Sequence, residues 1–347
     1  MPVFSAADAI SPAIYRTRQF LFAPPFRWST FLKLCLVAAI TEGLGTNLRS
    51  PVNNNQRTNS VPANVPFHFT PEIIAAIVAG TVVLIIIAVI VAYLVTRLRF
   101  AYFHCLTHNT REITPGWILY RSQAARFFLM NIAVGICFLL VVALIALPFV
   151  AGFWSFFKEM QAGAQPNWAL LISLVVPLIP IVFLIAISGI MADIVLRDWM
   201  LPHYALENAT AGQAWSAVWM RFKNEKKQFL VYSILRLIAP IVAAFVLFML
   251  LIIPSLVSLG AVGAAEWGIH SAFANSSGAS TAVGILIEVF IGLLAFAFAV
   301  VVGISLGGPV STGLREYALL FYGGRYQALE NLLFPPAPPA MTGAPAD

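Results

Sequence analysis

Along most of this chain the hydrophobic positions follow neither a helical nor a strand period; they run on without interruption. Five such runs cover residues 71 to 97, 126 to 157, 168 to 196, 228 to 260 and 281 to 307. Each exceeds the ~20 apolar residues that cross a hydrocarbon core. Runs this long overshoot a ~30 Å core at ~1.5 Å per residue, which predicts tilt or extension into the headgroups. A sixth run, FLKLCLVAAITEGLG at 31 to 45, is short and carries Lys33, so it is expected to span thinly or to re-enter.

Between the runs helical periodicity returns. Thr210 followed by Gln213 forms a capping box for a helix with Ala214, Trp215, Val218, Trp219 and Phe222 on one face. Arg221, Lys223, Lys226 and Lys227 supply its positive charge, the pattern of a helix lying in a headgroup plane. Just before it, Trp199 is expected at headgroup level and Pro202 is expected to end the third long helix. Thr114 with Pro115 marks another helix start, and Ser11 with Pro12 a third, followed by Ile14 and Leu21 and preceded by Ile10. The predicted fold class is all-α: a polytopic transmembrane helical bundle of five long spans plus one short or re-entrant span, with cytoplasmic interfacial amphipathic helices.

Lysine and arginine orient the chain. Arg97, Arg99, Arg111, Arg121 and Arg126 crowd one connection, and Arg197, Arg221, Lys223, Lys226 and Lys227 another. The connection around Trp267 has none, and the one after the second long run has only Lys158. By the positive-inside rule the crowded connections and both termini are cytoplasmic. The expected organisation is a cytoplasmic amphipathic helix over 1–27, the short helix over 28–45, an external flexible loop over 46–70, the bundle with its surface helices over 71–333, and a disordered tail over 334–347.

Composition agrees: 60% of the residues are hydrophobic and 10% charged, against about 25% charged in soluble domains. The net charge of +6 sits in clusters beside apolar runs, which fits anionic lipid headgroups on the cytoplasmic face and not nucleic acid. Cys35, Cys105 and Cys137 are odd in number and lie in or beside apolar segments, so no disulfide framework is expected. The first residues lack the features of a cleaved signal peptide. The expected location is the inner (cytoplasmic) membrane.

The stretch RDWMLPHYALENATAGQAW, its basic sequel and the late GGRYQALENLLF together resemble bacterial multi-pass membrane proteins similar to the membrane domain attached to some glycerophosphoryl diester phosphodiesterases. The resemblance implies a helical inner-membrane protein. No phosphodiesterase catalytic domain is attached within these residues, so that activity is not carried over.

Charged and polar side chains inside spans are costly and are candidate sites by default. Asn131, Asp193 and Arg236 fall at similar depth in the inner leaflet, with Arg197 one turn beyond Asp193, and are expected to form a polar cluster or a cavity open to the cytoplasm. The competing expectation is an ion pair of Asp193 with Arg197 along one helix, and an Arg236 that snorkels to the surface. Glu288 lies nearer the outer face with no lysine or arginine at its depth; it should be protonated, wet or bonded to another helix. His104 and His108 are four apart, as a metal site needs, but no third ligand is evident and no zinc-protease motif surrounds them. No cofactor is expected.

Pro148, Pro177, Pro180, Pro240 and Pro254 are expected to bend their spans, and Gly303 with Gly307 to let helices approach. The function these features imply is non-enzymatic: an integral inner-membrane protein that scaffolds or handles lipid-like molecules. The alternatives are a small-solute transporter with a polar site in the inner leaflet, and an intramembrane enzyme for which only HCLTH speaks.

Overall fold

The computed structural model describes residues 4–43, 71–162, 167–273 and 279–335. The loop expected over 46–70, and the expected tail beyond Pro335, lie outside the described residues. In chain order the elements are α1 (Ile10–Phe22), α2 (Trp28–Ala38) continued by a π-helical turn (Ala39–Gly43), α3 (Pro71–Thr107), α4 (Thr114–Leu119) and α5 (Arg121–Gln161). Next comes α6 (Trp168–Ile194), which runs through a π-helical turn (Val195–Met200) into α7 (Leu201–Leu206). The chain closes with α8 (Ala211–Asn224), α9 (Lys226–Phe273), α10 (Ala279–Gly323) and α11 (Gln327–Leu333). The described residues contain no strand, and five helices are long and apolar enough to cross a membrane. This is an all-α polytopic bundle.

Each long helix divides into two halves that answer to different solvents. The most apolar window of every one is wholly unburied by protein; lipid tails are as apolar as leucine, so such surface needs no protein cover. The basal halves are different. Phe100, Tyr102, Phe103, Phe127, Trp199, Phe229, Tyr232, Phe321 and Tyr322 are buried there in one core with Phe20, Phe31 and Leu34 of α1 and α2. At 37 to 48 residues the long helices measure about 55 to 72 Å, well beyond a ~30 Å hydrocarbon core. The surplus length builds a basal domain that must bury its own apolar surface, at roughly 1.5–3 kcal/mol for each large side chain.

The N-terminal helices complete that domain. α1 buries Ala13, Thr17, Phe20 and Leu21, whereas Ile10 and Ile14, expected on the apolar face, are exposed at 40% and 63%. Arg111 caps its C-terminal end, donating to the carbonyls of Phe20 (3.0 Å) and Ala23 (2.8 Å), where helix carbonyls have no internal partner. α2 lies so close to α10 that a Cβ on Gly308 would stand 2.3 Å from Cys35 Cβ. The close approach is therefore made at Gly308, whereas a Cβ on Gly303 or Gly307 would meet nothing within 4 Å.

Proline interrupts none of the long helices. α5, α6 and α9 run helically through Pro148, through Pro177 and Pro180, and through Pro240 and Pro254. Pro202, expected to end the third long helix, does not: the chain stays helical through it, from the π turn into α7. The chain turns only at Asn208, whose φ of 54° is left-handed, a conformation asparagine tolerates better than most residues. The capping box of Thr210 and Gln213 then starts α8 as expected.

Candidate functional site: an ionic layer beneath a lateral cavity

Where the basal core meets the lipid-facing halves, charged side chains from five segments converge. One of them is the π turn of the third long helix, where Arg197, Asp198, Trp199 and Met200 are consecutive and all buried. π insertions commonly mark functional positions.

Asp198 is the hub. It accepts from Tyr232 Oη at 2.8 Å, from Arg236 Nε at 3.1 Å and from Arg315 Nη1 at 3.0 Å. Glu42, at the end of the short sixth segment, accepts from Arg236 Nη2 at 3.1 Å and lies within 3.5 Å of Arg197 and 3.9 Å of Arg315. Arg197 approaches Asp193, Glu42 and Asp198 at 3.3 to 3.5 Å, yet its Nε and Nη1 align with none of them as hydrogen bonds. Its attraction is charge to charge. Arg99 donates from Nε to the Thr41 carbonyl at 3.0 Å, and among the described residues no carboxylate lies within 4.0 Å of it.

Above this layer α3, α5 and α6 enclose a lateral cavity of about 610 Å³, within the range of ~300–1,000 Å³ typical of ligand sites. Its walls are apolar, from Val91 and Val95 of α3, Ile132 and Phe138 of α5, and Leu196. Arg99, Asn131, Asp193 and Arg197 form its polar part. The Asp193 side chain is 42% exposed, and the Asn131 amide oxygen is buried with no hydrogen-bond partner.

The structure thus brings Asn131, Asp193 and Arg197 to one cavity, and links Arg236 to them through Glu42 and Asp198. Asp193 does pair with Arg197 along its own helix, but Arg236 does not snorkel; it is 4% exposed. Sequence reasoning missed Glu42, Asp198, Arg315 and Arg99. The adjacent pair Arg197-Asp198 at the end of an apolar run is the signal that points to them.

The remaining candidates are scattered. Trp199, expected among headgroups, is 4% exposed and stacks edge-on against Phe229 at 4.8 Å. The reason is that the helix continues past it into the basal core. Trp215 and Trp219 of α8 are exposed and stacked on each other at 6.1 Å, with Lys223 over the Trp219 ring. Lys226 and Lys227 are exposed, whereas Arg221 is tied to the Arg325 carbonyl at 2.9 Å and covers the Tyr326 ring. Glu288 faces His270 of the preceding helix at 3.6 Å, the partner in another helix that its position called for.

His104 and His108 have ring centroids 4.1 Å apart, and among the described residues no three His, Cys, Asp or Glu side chains converge on a metal position. His203 is engaged elsewhere, with Glu207 at 3.1 Å and the Tyr322 hydroxyl at 2.7 Å. Bonded this way, its Nδ1 carries the proton to Glu207 and its Nε2 accepts from Tyr322.

No curated protein and no solved structure matches the chain. A family model does match, over residues 4–332, which takes in α1, the ionic layer and nearly all of α11. The chain is therefore a multi-pass membrane protein that belongs to the family of unknown function DUF7544.

Proposed function

We propose that this protein is a non-enzymatic inner-membrane protein that holds a lipid-like amphiphile in the cavity between α3, α5 and α6. The carrying observation is the cavity itself: apolar walls end on a polar floor of Arg99, Asn131, Asp193 and Arg197. An amphiphile satisfies both parts at once, and water or a small polar solute satisfies only the floor. The lysine and arginine distribution supports cytoplasmic termini, an orientation that sets the floor in the inner leaflet. Trp215, Trp219 and Lys223 on α8 then meet the cytoplasmic headgroups. The solute-transporter reading draws on broken helices at mid-depth, and α5, α6 and α9 run unbroken through their prolines.

The test is native mass spectrometry of the gently solubilised protein. Gly135 lines the cavity, and a Cβ there meets nothing within 4 Å, so Gly135→Leu starts from open space at the cavity wall and takes up part of its volume. Wild type should retain an amphiphile in stoichiometric amount and the variant should lose it while staying folded. Equal retention by both refutes the reading.

A further inference from the structure

The ionic layer does not balance. Arg99, Arg197, Arg236 and Arg315 face Glu42, Asp193 and Asp198, four guanidiniums against three carboxylates. Arg197, Arg236 and Arg315 each lie within 3.9 Å of at least two carboxylates or one carboxylate at hydrogen-bond distance. Arg99 is the cation left over: its Nε is spent on the Thr41 carbonyl, and it lines the cavity. A surplus charge at the edge of the hydrocarbon is costly unless something neutralises it.

Besides the two guanidiniums of Arg99 and Arg197, the floor presents two acceptors, the Asp193 carboxylate and the Asn131 amide oxygen. Asp193 is partly exposed beside the cavity and the Asn131 amide oxygen is buried with no donor. A ligand that completes this floor brings one negative charge for Arg99 and hydrogen-bond donors for Asp193 and Asn131.

We infer that the cavity selects an amphiphile with a singly charged anionic headgroup that also bears hydroxyl donors, a phosphodiester of the glycerol type. This rests on the amphiphile-holding role proposed above and names its ligand class. A phosphocholine head offers no donor and no net charge; a phosphoethanolamine head offers a donor but leaves the surplus charge in place. A charge-assisted contact to a guanidinium is among the stronger hydrogen bonds, equivalent to about tenfold or more in affinity.

The experiment exchanges the solubilised full chain into equimolar phosphatidylglycerol, phosphatidylethanolamine and phosphatidylcholine of identical acyl chains, and reads the retained lipid by native mass spectrometry. Wild type should retain phosphatidylglycerol about tenfold over either competitor. Arg99→Gln should keep a lipid and lose the preference, and Arg99→Lys should restore it in part, which separates lost recognition from lost folding. Lipid retained by wild type without headgroup preference, or with preference for either competitor, overturns the inference and leaves the amphiphile role standing. Retention unaffected by Gly135→Leu overturns both. A preference that survives Arg99→Gln removes Arg99 from the assignment and sinks the inference.

Discussion

Arg236 Nε donates to Asp198 Oδ2 at 3.1 Å, joining α9 to the π turn of the third long helix across 38 positions of sequence. Both residues are at least 96% buried, and Asp198 also holds Tyr232 and Arg315. Asp198→Asn leaves three buried guanidiniums around a neutral amide, and breaking a buried pair from one side typically costs roughly 3–5 kcal/mol. Thermal unfolding in detergent should show the largest loss for Asp198→Asn. Arg236→Gln together with Asp198→Asn should lose less than the two single losses added, because the partners are removed together. Strict additivity would mean the two side chains do not interact.

The contact of α2 with α10 is steric and has a sharp address. A Cβ on Gly308 would come within 2.3 to 2.6 Å of Cys35, where backbone as well as side chain must move. Gly308→Ala should cost at least the roughly 1–3 kcal/mol typical of overpacking. Gly303→Ala, five residues earlier with open space around it, should be neutral or slightly stabilising in a helix. Equal melting temperatures for the two variants would remove this close approach from the fold.

Glu207, in the turn after α7, makes stability depend on pH. Partial burial pushes its carboxyl up, but the hydrogen bond from His203 and the positive Arg221 more than offset this, so its net position is below the ordinary 4.5. A carboxylate held low in the folded state adds stability that is present above the unfolded value and is lost as pH falls through the folded one. Wild type should therefore melt higher than Glu207→Gln at pH 7, and the gap should close below about pH 4. A gap that widens on acidification would reverse the assignment.

The membrane class, the five long helices and the capping box at Thr210 were legible because they depend on run length and local spacing. The ionic layer was only half legible. Asp193, Asn131 and Arg236 stand out inside apolar runs, but Glu42 sits at the end of a doubtful segment, and Arg99 and Arg315 look like the flanking cations of any span. The positive-inside rule counts arginines without distinguishing a solvated one from one buried in ion pairs. The same blindness placed Trp199 among headgroups: tryptophan close to arginine at the end of an apolar run is the mark of an interface, and nothing local reveals that the helix carries on for about two more turns into a protein core. Pairing of these charges is a property of tertiary packing, which arranges residues dozens to hundreds of positions apart.

That distinction between tryptophans can be measured directly. Trp215 and Trp219 are 50% and 43% exposed on α8, whereas Trp199 is 4% exposed. In single-tryptophan variants reconstituted into vesicles, lipids brominated along the acyl chain quench a tryptophan only on close approach. Trp215 and Trp219 should be quenched most by bromines nearest the headgroups, as expected for a helix lying in the interface plane. Trp199, edge-on against Phe229, should be quenched far less at every bromine depth. If Trp215 and Trp219 also escape quenching, α8 meets water or a protein partner rather than lipid, and its lysines serve that contact instead. If Trp199 is quenched like the other two, the basal core is open to lipid, and the burial that holds Asp198 in its ring of arginines is lost with it.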